Sequence, residues 1–253
     1  MFRRVFAVVI AVAFAAAVPA LAQTTFVSDT FTAGANTLLE AHTPDTGGAW
    51  TRQVGTGGIT INGAADNARN VSSNDWSIYT NAAAAPSAEI TMGAKVTFTN
   101  ANANNFVDLF GRTSVSLLNA YSARLAANGA VTLTRWSGGT PTTLASGTVT
   151  IALNTQIDFV LSLKNASKQV VINGTVVASS TDNTNTAAGI VALGMNSNTA
   201  AQAIVDNFFA STFAPTAVDR LEARATRDGN RTLLEWTTAR ETQNLGFRIA
   251  RDL

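Results

Sequence analysis

The 253-residue chain contains no cysteine, a single histidine and five prolines, and only 13% of its residues are charged. Each scarcity excludes something. Without cysteine there is no disulfide framework and no thiolate metal site, so stability must come from packed area or a bound ion. With His42 as the sole histidine, a His-Glu-x-x-His zinc site cannot be written, and Gly-x-Ser-x-Gly and a phosphate-cradling glycine loop are absent as well. No basic stripe interrupts the near-neutral balance, which argues against nucleic acid or an anionic membrane surface as partner.

The one long apolar run stands at the front, in "MFRRVFAVVIAVAFAAAVPALAQ". Arg3 and Arg4 make a positive start, the run extends over residues 5–18, and Ala20-Leu21-Ala22 is a small-x-small cleavage site. Residues 1–22 are therefore expected to be a signal peptide, removed on export to the cell surface or the extracellular space. The run is shorter than the roughly 20 residues of a spanning helix, so no membrane insertion is expected after cleavage. Loss of Arg3 and Arg4 leaves 15 basic against 16 acidic residues.

Charge then divides what remains. Residues 23–214 hold 18 charged side chains, whereas residues 215–253 hold 13 in a fifth of the length. That step marks a boundary, with a linker expected over 213–219. The first part is rich in Thr, Asn, Ala, Gly and Ser, yet regular apolar alternation runs through it. In "YSARLAANGAVTLTRW", Tyr121, Ala123 and Leu125 alternate up to Asn128-Gly129, and Val131, Leu133 and Arg135 alternate after it, which predicts a hairpin on a type I′ turn. "KQVVINGTVVASS" repeats the device around Asn173-Gly174. Further strands are predicted at 25–31, 58–61, 76–80, 88–99, 106–112, 142–151, 156–163, 190–195 and 203–210. Many short strands with close turn signals and no amphipathic helix predict an all-β antiparallel sandwich.

The segments "FVSDTFTAGANTLLEAHTPDTGGAWT", "NNFVDLFGRTS" running on to "LASGT", and "AIVDNFFAS" together resemble a concanavalin A-like jelly roll of the laminin-G-like group, over residues 23–212. The resemblance implies two packed antiparallel sheets, with a first strand near Phe26 to Phe31 pairing with a last near Ile204 to Phe209. It leaves function open, because that fold carries lectins, glycan-binding modules, glycosidases and plain spacers. Glycosidases of the fold set Glu-x-Asp-x-x-Glu on one strand, and no such run occurs here: Glu40, Glu89, Glu222, Glu235 and Glu241 all lack a partner at that spacing. A non-enzyme is therefore expected.

Within "HTPDTGGAW", His42 and Asp45 could be read as a base pair or as metal ligands. Pro44 and Gly47-Gly48 instead suit a sharp corner that returns Trp50 to the core. For binding, sugars call for aromatic faces and for Asn, Asp or Arg hydrogen bonders. The candidates are Trp76, Tyr79, Asp108, Arg112, Tyr121, Arg124 and Trp136. By strand parity Phe106, Asp108, Phe110 and Arg112 share one face, with Val107, Leu109 and Gly111 on the other. Calcium is a candidate cofactor through Asp182 in "SSTDNTNT", although the loop lacks the charge of a tight site.

The final stretch, residues 220–253, resembles the first three strands of a fibronectin type III-like domain on the strength of "LLEWTTARETQNLGFRIAR". Such a domain needs about seven strands and roughly 100 residues. This second β module is therefore expected to be short and incomplete, truncated from a longer chain with further C-terminal domains. The functional expectation is a secreted or cell-surface carbohydrate-binding or adhesion module with a glycan or surface polysaccharide as partner. A structural spacer and a divergent glycoside hydrolase are the alternatives.

Overall fold

A computed structural model describes residues 23–213 and two further strands at 221–228 and 231–238. The expected signal peptide, most of the expected linker and the third fibronectin-like strand lie outside the described residues.

In chain order the strands are β1 (Thr25–Asp29), β2 (Thr37–Leu38), β3 (Trp50–Val54), β4 (Ile59–Asn62), β5 (Asn67–Asn70), β6 (Ser77–Asn81), β7 (Ile90–Phe98), β8 (Phe106–Thr113) and β9 (Ala120–Ala126). They continue as β10 (Ala130–Ser137), β11 (Thr140–Thr148), β12 (Ile157–Lys164), β13 (Ser167–Ile172), β14 (Thr175–Thr181), β15 (Ile190–Asn196), β16 (Ala203–Thr212), β17 (Leu221–Asp228) and β18 (Arg231–Thr238). One sheet has nine strands in the order β14-β13-β12-β7-β16-β5-β4-β2, with β1 also paired to β16. The other has seven, in the order β11-β10-β9-β8-β15-β6-β3, while β17 and β18 form a separate antiparallel pair. Among the described residues no helix is long and apolar enough to cross a membrane.

The core fills the space between the two large sheets. Val107, Leu109, Tyr121, Ala123, Leu125, Val131, Leu133, Val191, Leu193 and Met195 enter it from the seven-stranded sheet, and Val96, Phe98, Phe159, Leu161 and Val205 belong to the nine-stranded one. Burying each large apolar side chain contributes about 1.5–3 kcal/mol, which is how a chain without disulfides holds together. The first strand meets the last in the expected place, with Ser28 opposite Phe209.

Both Asn-Gly hairpins form, but with different turns. At Asn173-Gly174 both residues take positive φ, 48° and 78°, as a type I′ turn requires. At Asn128-Gly129 only Gly129 does, at 87°, and its N–H donates to Ala126 O at 2.9 Å, giving a longer loop in place of the expected I′ turn. The predicted strand 142–151 is shifted to Thr140–Thr148, and β2, β3 and β5 were not predicted.

The "HTPDTGGAW" segment is a corner. His42 Nε2 lies 2.9 Å from Asp29 Oδ1, and the Trp50 indole N–H donates to Asp29 Oδ2 at 2.7 Å. Asp45 turns away to accept from Thr30 N at 2.8 Å, so the two residues do not form a pair. Gly48 is required by contact: a Cβ there would come within 2.8 Å of the Ala83 backbone nitrogen.

Candidate functional site

Strand alternation gives the seven-stranded sheet a second, outward face, and that face is unlike the rest of the Thr- and Asn-rich surface. From β8 it receives Phe106, Asp108 and Phe110, the residues opposite in parity to the core side chains Val107 and Leu109. Cross-strand register brings Arg124 of β9 opposite Asp108, and Ser122 opposite Phe110. On the other side of β8, Gly194 and Ala192 of β15 stand opposite Asp108 and Phe110. Trp136 of β10 is paired with Ala120.

The small residues make room for the large ones. A Cβ on Gly194 would lie 3.2 Å from Trp76 Nε1 and 3.3 Å from the Phe110 ring, so the glycine is the floor on which the Trp76 indole rests. Ile78, Phe110, Ala120 and Ala192 are buried beneath a roof of Trp76, Trp136 and Leu117, which are only partly buried. Trp76 and Trp136 have ring centroids 6.3 Å apart, and Phe110 lies 6.5 and 6.3 Å from them respectively. Offset and tilted ring pairs at such distances are each worth about 0.5–1.5 kcal/mol beyond the area they bury.

Polar groups are fixed around this platform. Arg124 grips Asp108 with two parallel bonds of 2.7 Å, from Nε to Oδ1 and from Nη2 to Oδ2. Its guanidinium also lies over the Phe106 ring at 3.6 Å from the centroid and 5.1 Å from that of Trp76. Asp108 is 2% exposed, and burial pushes its carboxyl above the ordinary value against the opposing pull of Arg124. The fork uses Nε and one Nη2 hydrogen, so Nη1 makes no part of it. Trp136 donates its indole N–H to Ser122 Oγ at 2.9 Å. The Trp76 N–H is buried beside Asp108, whose carboxyl it helps to lower, but completes no well-formed hydrogen bond. At the β15 end, Asn196 donates to Asn104 O at 2.8 Å while its own Oδ1 is buried without a donor.

Of the seven residues singled out in the sequence, the fold brings Trp76, Asp108, Arg124 and Trp136 together on this face. The other three point into the sandwich. Tyr79 is fully buried and donates to Glu40 Oε2 at 2.6 Å, and burial raises its phenol. Tyr121 is fully buried with its hydroxyl on Asp182. Arg112 was expected beside Asp108, but the ladder slips between β15 and β8, where Arg112 takes φ of 51°. That bulge turns its side chain inward, to the carbonyls of Ala88 at 2.6 Å and Asn185 at 2.9 Å and to 5.8 Å from the Tyr121 ring. Phe106, Phe110, Ser122, Gly194 and Asn196 are members that residue type alone did not single out.

Asp182, the calcium candidate, is engaged by the protein's own donors. Its carboxylate accepts from Tyr121 Oη, Thr184 N at 2.9 Å and Arg135 Nη1 at 2.7 Å, which leaves it committed within the protein. Those bonds outweigh the opposing effect of burial and hold its carboxyl down to about 2. Among the described residues no three His, Cys, Asp or Glu side chains gather in one place.

An antiparallel two-sheet sandwich of this order has the fold of the galectin-like and concanavalin A-like jelly rolls. No protein-family model and no curated protein matches the sequence. Solved structures do. A Bacillus subtilis protein with a galectin-like fold superposes with a TM-score of 0.51 at 11% identity, covering 64% of this chain and 90% of that one. The carbohydrate recognition domain of Emp47p gives 0.51 at 10% identity, over 75% of this chain and 96% of that domain. The exoplasmic domain of VIP36, in a form bound to calcium and Man3GlcNAc, gives 0.50 at 9% identity, over 67% and 86%. At these identities the likeness shows the fold.

Proposed function

We propose that residues 23–213 form a non-catalytic carbohydrate-binding module, and that the sugar lies on the outer face of the seven-stranded sheet. The observation that carries this reading is the pair of partly exposed indoles, Trp76 and Trp136, beside a guanidinium held rigid by Asp108. Sugar rings present C–H faces that stack on indoles, and hydroxyls that accept from the Arg124 guanidinium hydrogens outside its fork on Asp108. Asp108 is buried and ion-paired, which suits positioning of Arg124 and not attack on a glycosidic bond. The carbohydrate recognition domain of Emp47p and the Man3GlcNAc-bound VIP36 domain, which share the fold, lend support. Export, attachment at a cell surface and a fibronectin type III-like partner module after residue 219 complete the proposal.

The test is a glycan-array screen of the chain from Gln23 onward, with calcium and with a chelator. Trp76→Ala and Trp136→Ala should each weaken the retained glycan at least tenfold with an unchanged far-ultraviolet spectrum. Retention that survives both substitutions would move the ligand off this face, and no retention of any glycan would favour the spacer reading.

A further inference from the structure

The aromatic platform does not end at Trp136. It continues onto the loop joining β8 to β9, residues 114–119, "SVSLLN". Leu117 packs on the same buried cluster as Trp136 and takes φ of 59°, a left-handed conformation that a Leu adopts only when its surroundings hold it there. Two bonds hold the loop against the turn after β10: Gly139 N donates to Leu118 O at 2.8 Å, and Gly138 N to Asn119 Oδ1 at 3.1 Å. Leu118 lies over that turn, 3.3 Å from where a Gly139 Cβ would stand. The loop is therefore preformed, and it holds two apolar side chains out into water, alongside the exposed Ser116 and Asn119. Val115 is 66% exposed and Leu118 49%, the two most exposed large hydrophobic side chains among the described residues. They project from one six-residue loop, against a surface otherwise rich in Thr, Ser and Asn.

We propose that the ligand of this face is amphiphilic: a neutral saccharide carrying an apolar alkyl, acyl or aryl substituent, with the sugar on Trp76 and Trp136 and the substituent on Leu117, Leu118 and Val115. The proposal rests on the carbohydrate reading above. Neutrality follows from the Asp108–Arg124 pair, whose charges cancel, so the platform carries no net charge for an acidic sugar to neutralise. The apolar substituent follows from continuity, because Trp136 and Leu117 roof one cluster and Leu118 extends it past the turn. A plain sugar stacked on the indoles would leave Leu118 and Val115 in water, whereas an alkyl chain would cover them.

Calorimetric titration of the chain from Gln23 with methyl and octyl glycosides of glucose, galactose and mannose, below their micelle concentrations, with 1-octanol as competitor, tests this. For at least one sugar the octyl glycoside should bind tenfold or more tightly than the methyl glycoside. Because Val115 and Leu118 are exposed, the double variant Val115→Asn, Leu118→Asn should fold normally, lose that gain and keep its affinity for the methyl glycoside. Equal binding of the methyl and octyl forms overturns the proposal and leaves the carbohydrate reading standing. Octanol competing as well as any octyl glycoside, whatever the sugar, overturns it too. Binding of no glycoside of either kind defeats the carbohydrate reading and this proposal with it.

Discussion

At Asp29, three donors meet one buried carboxylate. Phe31 N donates to Oδ1 at 2.8 Å, the Trp50 indole to Oδ2 at 2.7 Å, and His42 Nε2 lies 2.9 Å from Oδ1. The backbone bond matters because Phe31 stands at φ of 51°, an unfavourable region for an aromatic residue. Asp29→Ala would strand the buried Trp50 and Phe31 donors, at about 1–3 kcal/mol each. Its urea midpoint should therefore fall by the equivalent of about 2–6 kcal/mol, while His42→Ala should cost less than half of that. Equal losses would mean that His42, and not Asp29, organises the corner. Part of this scale is legible in sequence: Trp76, Asp108, Arg124 and Trp136, candidates by residue type and predicted strand, do lie together on one outer face. Tyr121 could have been set aside, since it shares parity with Ala123 and Leu125 on the core side. Arg112 is the harder case, because a bulge reverses its parity and the one sign of it in "FGRT" is Gly111, a glycine inside a strand pattern. Gly194 and Ser122 join the site only through cross-strand register, which a single sequence does not carry.

Elements show the same division. Alternation gave the long strands and both hairpins, whereas the two-residue β2 and the polar β5, "NARN", carry too little pattern to be seen. What the strands alone do not convey is how the two sheets meet at their edges. β11 and β14 approach so closely that a Cβ on Gly147 would stand 2.3 Å from the Val177 carbonyl oxygen. A glycine at this position lets the edge of one sheet lie against the edge of the other. Gly147→Val should force them apart and cost about 1–3 kcal/mol, a fall of roughly 2–4 °C in the calorimetric melting temperature per kcal/mol at this size. Gly147→Ala should fall between, and a valine variant as stable as the parent would show that β11 is free to move.

Across the whole sandwich, a buried polar cluster ties the sheets together at the end near the 182–189 loop. Lys168 of β13 lies 4.9 Å from the ring of Tyr121 of β9, and Arg112 of β8 faces the same ring. Arg135 reaches Asp182, and Glu89 adds its field to Lys168. Burial first, and then the charge of Arg112, depress the Lys168 ammonium to about 8, against the opposing fields of Asp182 and Glu89. Between that value and the ordinary 10.5 the unfolded chain binds more protons than the folded one, so stability rises with pH in this window. Tyr79 and Tyr121 are raised, chiefly by burial, so they work the other way once the pH passes their ordinary value of 10. Asp182, held down to about 2, contributes stability above its ordinary 3.8 that is lost as the pH falls toward 2. Stability should therefore climb between pH 8 and 10 by on the order of 1–2 kcal/mol, turn down above 10 as the tyrosines titrate, and fall at the acid end only below about 3.8, where Asp182 is protonated. Lys168→Met should abolish the climb, since Arg112 Nη2 remains on the Asn165 carbonyl that Lys168 also serves. Urea midpoints of both proteins at half-unit steps from pH 7 to 10.5 provide the check. A parent protein that only loses stability over that range, or a methionine variant with the same climb, would place the titrating group elsewhere.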